Sequence, residues 1–257
     1  MHDHPAVRWA TDALWHALAI SLAERGVPAP VALDRRADYA SVWLEPGLVL
    51  SQTCGYPYVT RLRGKVRLVA TPVYRADGCD GARYRSVLLV RADDRAENLA
   101  DLRSRRVALN VDDSQSGHNA LRAAVAPLAQ SGRFFVGSTL TGSHRTSADA
   151  VAQGVADLCA IDCVCWAILR RHEPKRTEDL RTIGWTASVP GLPLITGLAS
   201  NLLAIRGAVA AVMGDPGLAS AREALLIEGI EILTDEDYAP IAAMEREAIE
   251  SGYPVLA

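Results

Sequence analysis

Apolar and polar residues alternate along this chain in blocks that predict helices and strands in turn. Residues 6–25 carry apolar side chains at helical spacing and stop at Gly26, a residue that commonly ends helices. Residues 107–111 form a short apolar run that is typical of a buried strand. From residue 99 to 185 the blocks become regular, with strands separated by helices. This alternation predicts α/β architecture with parallel strands.

The most informative block is the polar loop at residues 112–117, which joins the strand at 107–111 to a predicted helix at 119–126. Backbone N–H groups at a helix start point outward, and the helix dipole adds partial positive charge there. The loop therefore suits a phosphate, phosphonate, sulfate or carboxylate. A simpler interpretation is that Ser114 or Ser116 only caps the helix. The sequence leaves both interpretations open.

Two further polar groups follow predicted strands, at Thr141 to His144 and at Asp162. Ligands of open α/β sheets gather at the carboxyl ends of the strands. We therefore expect these groups to lie near the loop at 112–117.

The composition excludes several classes of protein. The 257 residues are 49% hydrophobic and 22% charged, with a formal net charge of −3, which suits one large globular domain or two of moderate size. No domain is strongly basic, which argues against nucleic acid as a partner. No apolar run reaches the roughly 18 residues that a bilayer-spanning helix needs. The N-terminus lacks the features of a signal peptide, so we expect a cytoplasmic protein as written, or a periplasmic one if the N-terminus is truncated.

Five cysteines, an odd number, agree with a reducing compartment. Cys159, Cys163 and Cys165 form a C-x3-C-x-C pattern that matches no common zinc site. Small buried thiols are the preferred interpretation, with a metal or redox site as the alternative. No cofactor and no metal are expected.

Several marks occur in a consistent order and spacing along the chain. They are Tyr84-Arg85-Ser86, Ser114-Gln115-Ser116-Gly117, Thr141-Gly142-Ser143-His144, residues 157–162, and Pro190-Gly191-Leu192-Pro193. In these marks the chain, over about residues 48–197, resembles the substrate-binding proteins of phosphate/phosphonate ABC transporters. That family has the type II periplasmic-binding-protein fold.

The resemblance implies an α/β protein of two lobes, each a mostly parallel sheet flanked by helices, with a ligand cleft between them. Lobe 1 would combine residues 1–85 and 194–257, and lobe 2 would be residues 92–186. The chain would cross between lobes at 86–91 and 187–193, which would act as hinges.

The resemblance also assigns candidate ligand contacts. The anionic oxygens would be held by donors at the helix start and on the next strand-to-helix turn, and the tyrosines, from the opposite lobe, would contact the organic part of the ligand. The amides of Gln52 and Gln115 suit a neutral or mixed ligand as well as an anion. The candidate residues are Gln52, Tyr56, Tyr58, Tyr84, Ser114, Gln115, Ser116, Gly117, His118, Ser143, His144 and Asp162.

Alternatives remain for several of these residues. Tyr58 and Tyr84 would by default be core residues with bonded hydroxyls. Asp162 would accept a hydrogen bond either from an amine or hydroxyl of the ligand or from neighbouring backbone N–H groups. Asp112 and Asp113 are awkward beside an anion unless they face solvent.

The preferred function is binding of a small oxyanion, phosphonate, phosphate or another small metabolite, with an ABC permease as a partner. A cytosolic biosynthetic enzyme on the same fold is the alternative. It would use His144 or His118 as acid or base, oriented by Asp162, or Cys163 as nucleophile, although Cys163 has no matched base in the sequence. Two departures from the family bear on this choice: no signal peptide is visible, and the family's first strand before the first helix is missing. A transcription-regulator effector domain is excluded, because no room is left for a helix-turn-helix segment.

Overall fold

The computed structural model describes residues 2–35 and 39–256. The chain divides into two compact units. Unit 1 consists of Met1–Arg75, Asp80–Ala82 and Pro190–Asp237, and unit 2 consists of Ala76–Cys79, Arg83–Val189 and Tyr238–Ala257.

Strands and helices alternate through much of the described chain. The strands are β1 (Ser51–Gln52), β2 (Val66–Tyr74), β3 (Arg83–Tyr84), β4 (Ser86–Arg91), β5 (Arg106–Leu109), β6 (Gly137–Leu140), β7 (Leu158–Asp162), β8 (Leu180–Trp185), β9 (Val189–Pro190), β10 (Leu194–Gly197) and β11 (Ile227–Glu231). The α-helices are α1 (Arg8–Glu24), α2 (Tyr39–Val42), α3 (Gly55–Pro57), α4 (Ala120–Val125), α5 (His144–Ala152), α6 (Cys163–His172), α7 (Pro174–Thr177), α8 (Leu202–Gly214), α9 (Ala219–Ala224) and α10 (Ala239–Glu250). Two π-helical turns, Tyr58–Leu62 and Gln115–Asn119, follow α3 and precede α4.

Unit 1 is a four-stranded sheet with helices packed on it. The strand order is β1-β10-β2-β11, and every neighbouring pair in this sheet is antiparallel. Helix α1 packs against α8 and α9, and α8 in turn contacts β2. Their buried apolar residues, such as Leu22, Val69 and Val209, fill the space between helices and sheet.

Unit 2 contains a five-stranded mixed sheet of order β6-β5-β7-β4-β8. Strand β5 is parallel to both β6 and β7, whereas β4 is antiparallel to β7 and β8. The carboxyl ends of β5, β6 and β7 therefore share one edge of the sheet, as the alternating pattern predicted.

The central strands of the unit 2 sheet, such as β4 and β7, are buried on both faces. Successive side chains of a strand point to opposite faces, and in β4 the residues Leu88 and Val90 join one apolar cluster whereas Val87 and Leu89 join another. The first cluster is completed by Ala248, Tyr253 and Leu256 from the C-terminal segment. Consistent with this, α10 packs on α4.

The sheets differ from the predicted mostly parallel arrangement. Parallel pairing requires a crossover connection between strands, and only the run from β5 to β7 supplies two such crossovers in succession. The remaining strands meet partners from distant parts of the sequence and pair with them antiparallel.

Several element boundaries also differ from the sequence expectation. The sequence pattern at Tyr84–Arg91 predicts one strand, which in the structure is broken at Arg85 into β3 and β4. The pattern at 200–257 predicts mostly helix, and β11 lies within this tail. The expected lobe 1 included residues 194–257, whereas residues 238–257 belong to unit 2.

Among the described residues, no single helix is both long and apolar enough to cross a bilayer; only α8 taken together with residues 216–224, bent by 67°, reaches that length and apolarity.

Candidate functional site

The loop after β5 begins a helix at Ser114. The Ser114 hydroxyl accepts a hydrogen bond from the Gly117 backbone N–H at 2.9 Å, so Ser114 caps the π-helical turn Gln115–Asn119 that leads into α4. Helical structure therefore starts four residues earlier than the predicted 119–126. The first N–H groups of a helix have no carbonyl partner within it. They lie here beside the buried hydroxyls of Ser114 and Ser116.

Ser116 joins this helix start to the turn after β6. Its hydroxyl oxygen lies 2.9 Å from Nε2 of His144, the first residue of α5, and 3.4 Å from the Ser114 hydroxyl. The Ser116 carbonyl accepts a hydrogen bond from the Ser86 hydroxyl at 2.9 Å. Two hydroxyls and an imidazole are thus gathered at the carboxyl ends of β5 and β6.

Gly117 is packed so closely against Asn110 that a side chain at this position would displace the Asn110 carboxamide. A Cβ atom at Gly117 would lie 2.0 Å from Asn110 Oδ1 and 3.2 Å from His144 Cε1. Within the described chain, Asn110 Oδ1 is buried and has no hydrogen-bond partner. Buried polar groups are nearly always hydrogen-bonded, so this carboxamide is suited to a ligand atom. Asn110 was not among the predicted site residues, although its position directly after an apolar strand is a sequence signal.

Asp162 fits the second of its two predicted alternatives. Its Oδ1 accepts hydrogen bonds from the backbone N–H groups of Val164 at 2.7 Å and Cys165 at 3.1 Å, so that it caps α6. It lies at the carboxyl end of β7 and pairs in register with Ser86 of β4. Its buried carboxylate therefore stabilises the helix start next to the site.

Ser143 also serves as a helix cap. Its hydroxyl accepts a hydrogen bond from the Thr146 backbone N–H at 3.1 Å, and its side chain is exposed. Upstream, the Gly142 N–H donates to the Asn110 carbonyl at 2.8 Å. These bonds fix the turn that presents His144 to Ser116.

Gln115 turns away from the hydroxyls of Ser114 and Ser116. It is fully buried, its Oε1 accepts a hydrogen bond from Asn119 Nδ2 at 2.8 Å, and its Nε2 lies 3.5 Å from the Met244 sulfur of α10. Asn119 also donates to the Ile241 carbonyl at 3.0 Å. Gln115 thus takes part in a buried network that attaches the C-terminal helix to the helix start.

His118 lies on the same π-helical turn and is largely enclosed. Burial, followed by the nearby positive charge of Arg122, lowers the pKa of His118, while Asp112, Glu245 and Asp113 oppose that shift. Asp112 itself is exposed, which agrees with the interpretation that it faces solvent.

Tyr84 belongs to unit 2, with the serine-rich helix start, whereas the sequence grouped it with Tyr56 and Tyr58 of the other lobe. It is buried within β3.

Of the candidate residues of unit 1, Tyr56 and Tyr58 are buried and Gln52 is half-buried. Gln52 Nε2 donates to the Tyr74 hydroxyl and to the Leu192 carbonyl, both at 3.2 Å. The buried Tyr58 hydroxyl is hydrogen-bonded to Asp235, as expected of a core tyrosine. Tyr56 is buried in α3.

The thiol chemistry of the enzyme alternative is disfavoured. A hydrogen bond with Cys79 and burial both raise the pKa of Cys163, and the charge of Asp162 raises it further. Since the thiolate is the nucleophilic form, Cys163 is a poor nucleophile at neutral pH.

Comparisons with known proteins agree on one family and one fold. The family model described as the periplasmic substrate-binding protein of a phosphonate ABC transporter matches residues 12–238. A binding-protein component of an ABC phosphonate transporter from Pseudomonas aeruginosa superimposes with a TM-score of 0.76 at 17% identity, covering 93% of this chain and 82% of that one. PhnD1 from Prochlorococcus marinus, solved with methylphosphonate, gives a TM-score of 0.74 at 13% identity, covering 95% and 94%.

A third similar structure is XAC2383 from Xanthomonas citri bound to chloride, with a TM-score of 0.71, 17% identity and coverage of 97% and 95%. Among curated proteins, none matches the sequence. The structural likenesses confirm the predicted periplasmic-binding-protein fold.

Proposed function

The chain belongs to the family of phosphonate ABC-transporter periplasmic substrate-binding proteins, and on this premise we propose that the helix start at Ser114–Gly117, with His144 and Asn110, binds the oxyanion of a phosphonate or phosphate. Membership confirms the resemblance found in the sequence and the ligand-binding function over the enzyme alternative.

The observation that carries the proposal is the hydrogen bond between Ser116 and His144 at the start of a helix. A tetrahedral oxyanion needs several donors directed at one point. Hydroxyls from Ser114 and Ser116, backbone N–H groups of the helix start and the imidazole of His144 supply them. When the oxyanion enters, the Ser116 hydroxyl and His144 Nε2 would turn from each other to its oxygens.

Asn110 adds a polar group with a different role. Its buried carboxamide lies against Gly117. It would accept a hydrogen bond from a protonated oxygen or, turned by half a rotation, donate Nδ2 to a charged one. A site with this flexibility accepts both the monoanionic and the dianionic forms of a phosphonate.

We further propose that the protein works in the periplasm and delivers its ligand to an ABC permease. Family membership supports both points. Fractionation of the producing cells by osmotic shock tests the location: recovery in the shock fluid supports it, and retention with the cytoplasmic proteins contradicts it.

Calorimetric titration of the purified chain with methylphosphonate, inorganic phosphate and sulfate tests the ligand class. Ser116→Ala with His144→Ala should lose tight binding, because removal of hydrogen bonds to a charged group costs about 1.5–3 kcal/mol each, or about 10- to 100-fold in Kd. The matched control carries Ser138→Ala and His16→Ala, which are exposed positions on β6 and α1. Equal affinity of the two double variants for methylphosphonate would refute this site.

A further inference from the structure

Two cysteines far apart in the sequence meet in unit 2. The Cys79 and Cys163 sulfurs lie 3.4 Å apart, although the two residues are separated by 84 positions in the sequence. Cys163 is the first residue of α6, and its backbone N–H donates to the Arg85 carbonyl at 3.1 Å. Cys79 ends a turn in which its N–H donates to the Ala76 carbonyl at 2.9 Å. Both sulfurs are therefore placed by hydrogen-bonded backbone.

The turn that contains Cys79 packs closely against Trp185 and Cys163. Gly78 has φ of +95°, and a Cβ there would lie 2.6 Å from the Trp185 ring and 3.2 Å from Cys163 Cβ. Only glycine allows this conformation and this approach. The contact between the turn and α6 is thus built into the backbone and does not depend on one side-chain rotamer.

We propose that Cys79 and Cys163 form a disulfide bond when the protein meets an oxidising compartment. A disulfide has an S–S distance of about 2.05 Å, so the sulfurs need to approach by about 1.4 Å. Rotation of the Cys79 side chain on its turn supplies such a movement. The bond would close a loop of 84 residues and attach the turn at 76–79 to the start of α6.

The reaction is an exchange with an external disulfide, either a protein oxidant or oxidised glutathione. The half-exposed Cys79 thiolate attacks that disulfide and releases one thiol, which leaves a mixed disulfide on Cys79. The buried Cys163 then attacks the Cys79 sulfur and passes its proton to water, and the second thiol is released. The raised pKa of Cys163 makes this the slow step, and the short distance between the two sulfurs is what allows it. The two protein thiols are oxidised and the external disulfide is reduced.

The test uses the full chain, purified under reducing conditions and then incubated with oxidised glutathione. After acid quenching and alkylation, mass spectrometry should show three alkylated cysteines in place of five, and digestion should yield a peptide pair linked through Cys79 and Cys163. Cys79→Ser and Cys163→Ser should each prevent this bond. Cys165→Ser, a matched control on the same helix, should retain it.

Thermal unfolding provides a second measurement. Reduction should lower Tm by about 5–10 °C in the wild type and in Cys165→Ser, since closure of a long loop restricts the unfolded chain. The Tm of Cys79→Ser should not respond to reductant. Five alkylated cysteines after oxidation of the native wild type, or a linked pair that includes Cys165, would overturn the proposal. Methylphosphonate affinity is measured separately, so failure here leaves the proposed ligand site standing.

Discussion

The hydroxyl oxygen of Ser116 lies 2.9 Å from Nε2 of His144, and this hydrogen bond connects the helix starts that follow two neighbouring parallel strands. Neither residue is held by this bond alone. The Ser116 carbonyl is bound by Ser86, and His144 begins a helix that Ser143 caps. The functional groups are therefore placed by rigid elements, which reduces the entropy lost when a ligand binds.

Gly117→Ala should weaken oxyanion binding by at least about 10-fold and lower stability by about 1–3 kcal/mol, because the added methyl group overpacks the site. Its Cβ would collide with the Asn110 carboxamide and displace it. Calorimetry and urea unfolding measure the two effects. Gly137→Ala on β6 is the control, since its Cβ meets nothing within 4 Å. Equal affinities for the two variants would show that the approach of Asn110 to Gly117 is unimportant for binding.

Asn119→Ala should destabilise the protein by about 2 kcal/mol or more, because it leaves several buried groups without partners. Asn119 donates to Gln115 and to the Ile241 carbonyl, and its Oδ1 accepts from Arg122 at 2.7 Å. Urea unfolding gives the change in free energy. Asn201→Ala, which removes an exposed cap of α8, should cost only about 1 kcal/mol. A smaller loss for Asn119→Ala than for this control would contradict the role of the network.

Tyr58→Phe and Asp235→Ala should each reduce stability, by about 1–2 kcal/mol, because each removes the hydrogen bond between the Tyr58 hydroxyl and the Asp235 carboxylate. The two residues are hydrogen-bonded to each other within unit 1. The double variant should therefore be little less stable than either single variant, which a double-mutant cycle of unfolding free energies detects. Additive losses would mean that the hydrogen bond contributes nothing to stability.

His118 should make the protein less stable as the pH falls below 6.5. Its pKa in the folded state is lowered from that value, chiefly by burial. In the window between 6.5 and the lower folded pKa, the unfolded state binds a proton that the folded state does not, so stability declines toward acid by at most about 1.4 kcal/mol per pH unit. Urea unfolding at pH 7.5 and 5.5 should show a larger decline in the wild type than in His118→Gln. Identical declines would refute this contribution.

The sequence predicts best those parts of the site that are formed by residues close together in the chain. The Ser114 cap follows from a serine between a strand and a helix, and the meeting of Ser116 with His144 follows from successive strand–helix units, which place their helix starts at one sheet edge. The order of strands from β5 to β7 needs only one crossover helix at each step. In this part of the chain, the periodicity of the apolar residues is enough to predict how the strands are connected.

Other features depend on contacts between distant segments and were not predictable. Tyr58 meets Asp235 across 177 positions. Strand β11 was missed because its side chains are half-buried or exposed and glycine interrupts it, so it lacks a strong apolar pattern. The buried orientation of the Gln115 side chain depends on its contact with α10. The local sequence pattern of α10 does not show which element that helix packs against.

The C-terminal segment has a consequence for biosynthesis. Ala248, Tyr253 and Leu256 complete the apolar cluster under the unit 2 sheet, while the last strand of that sheet ends at Trp185. A ribosome must therefore add some seventy further residues before this core can close. During that interval one apolar face of the emerging sheet lacks the cover that these three C-terminal residues supply.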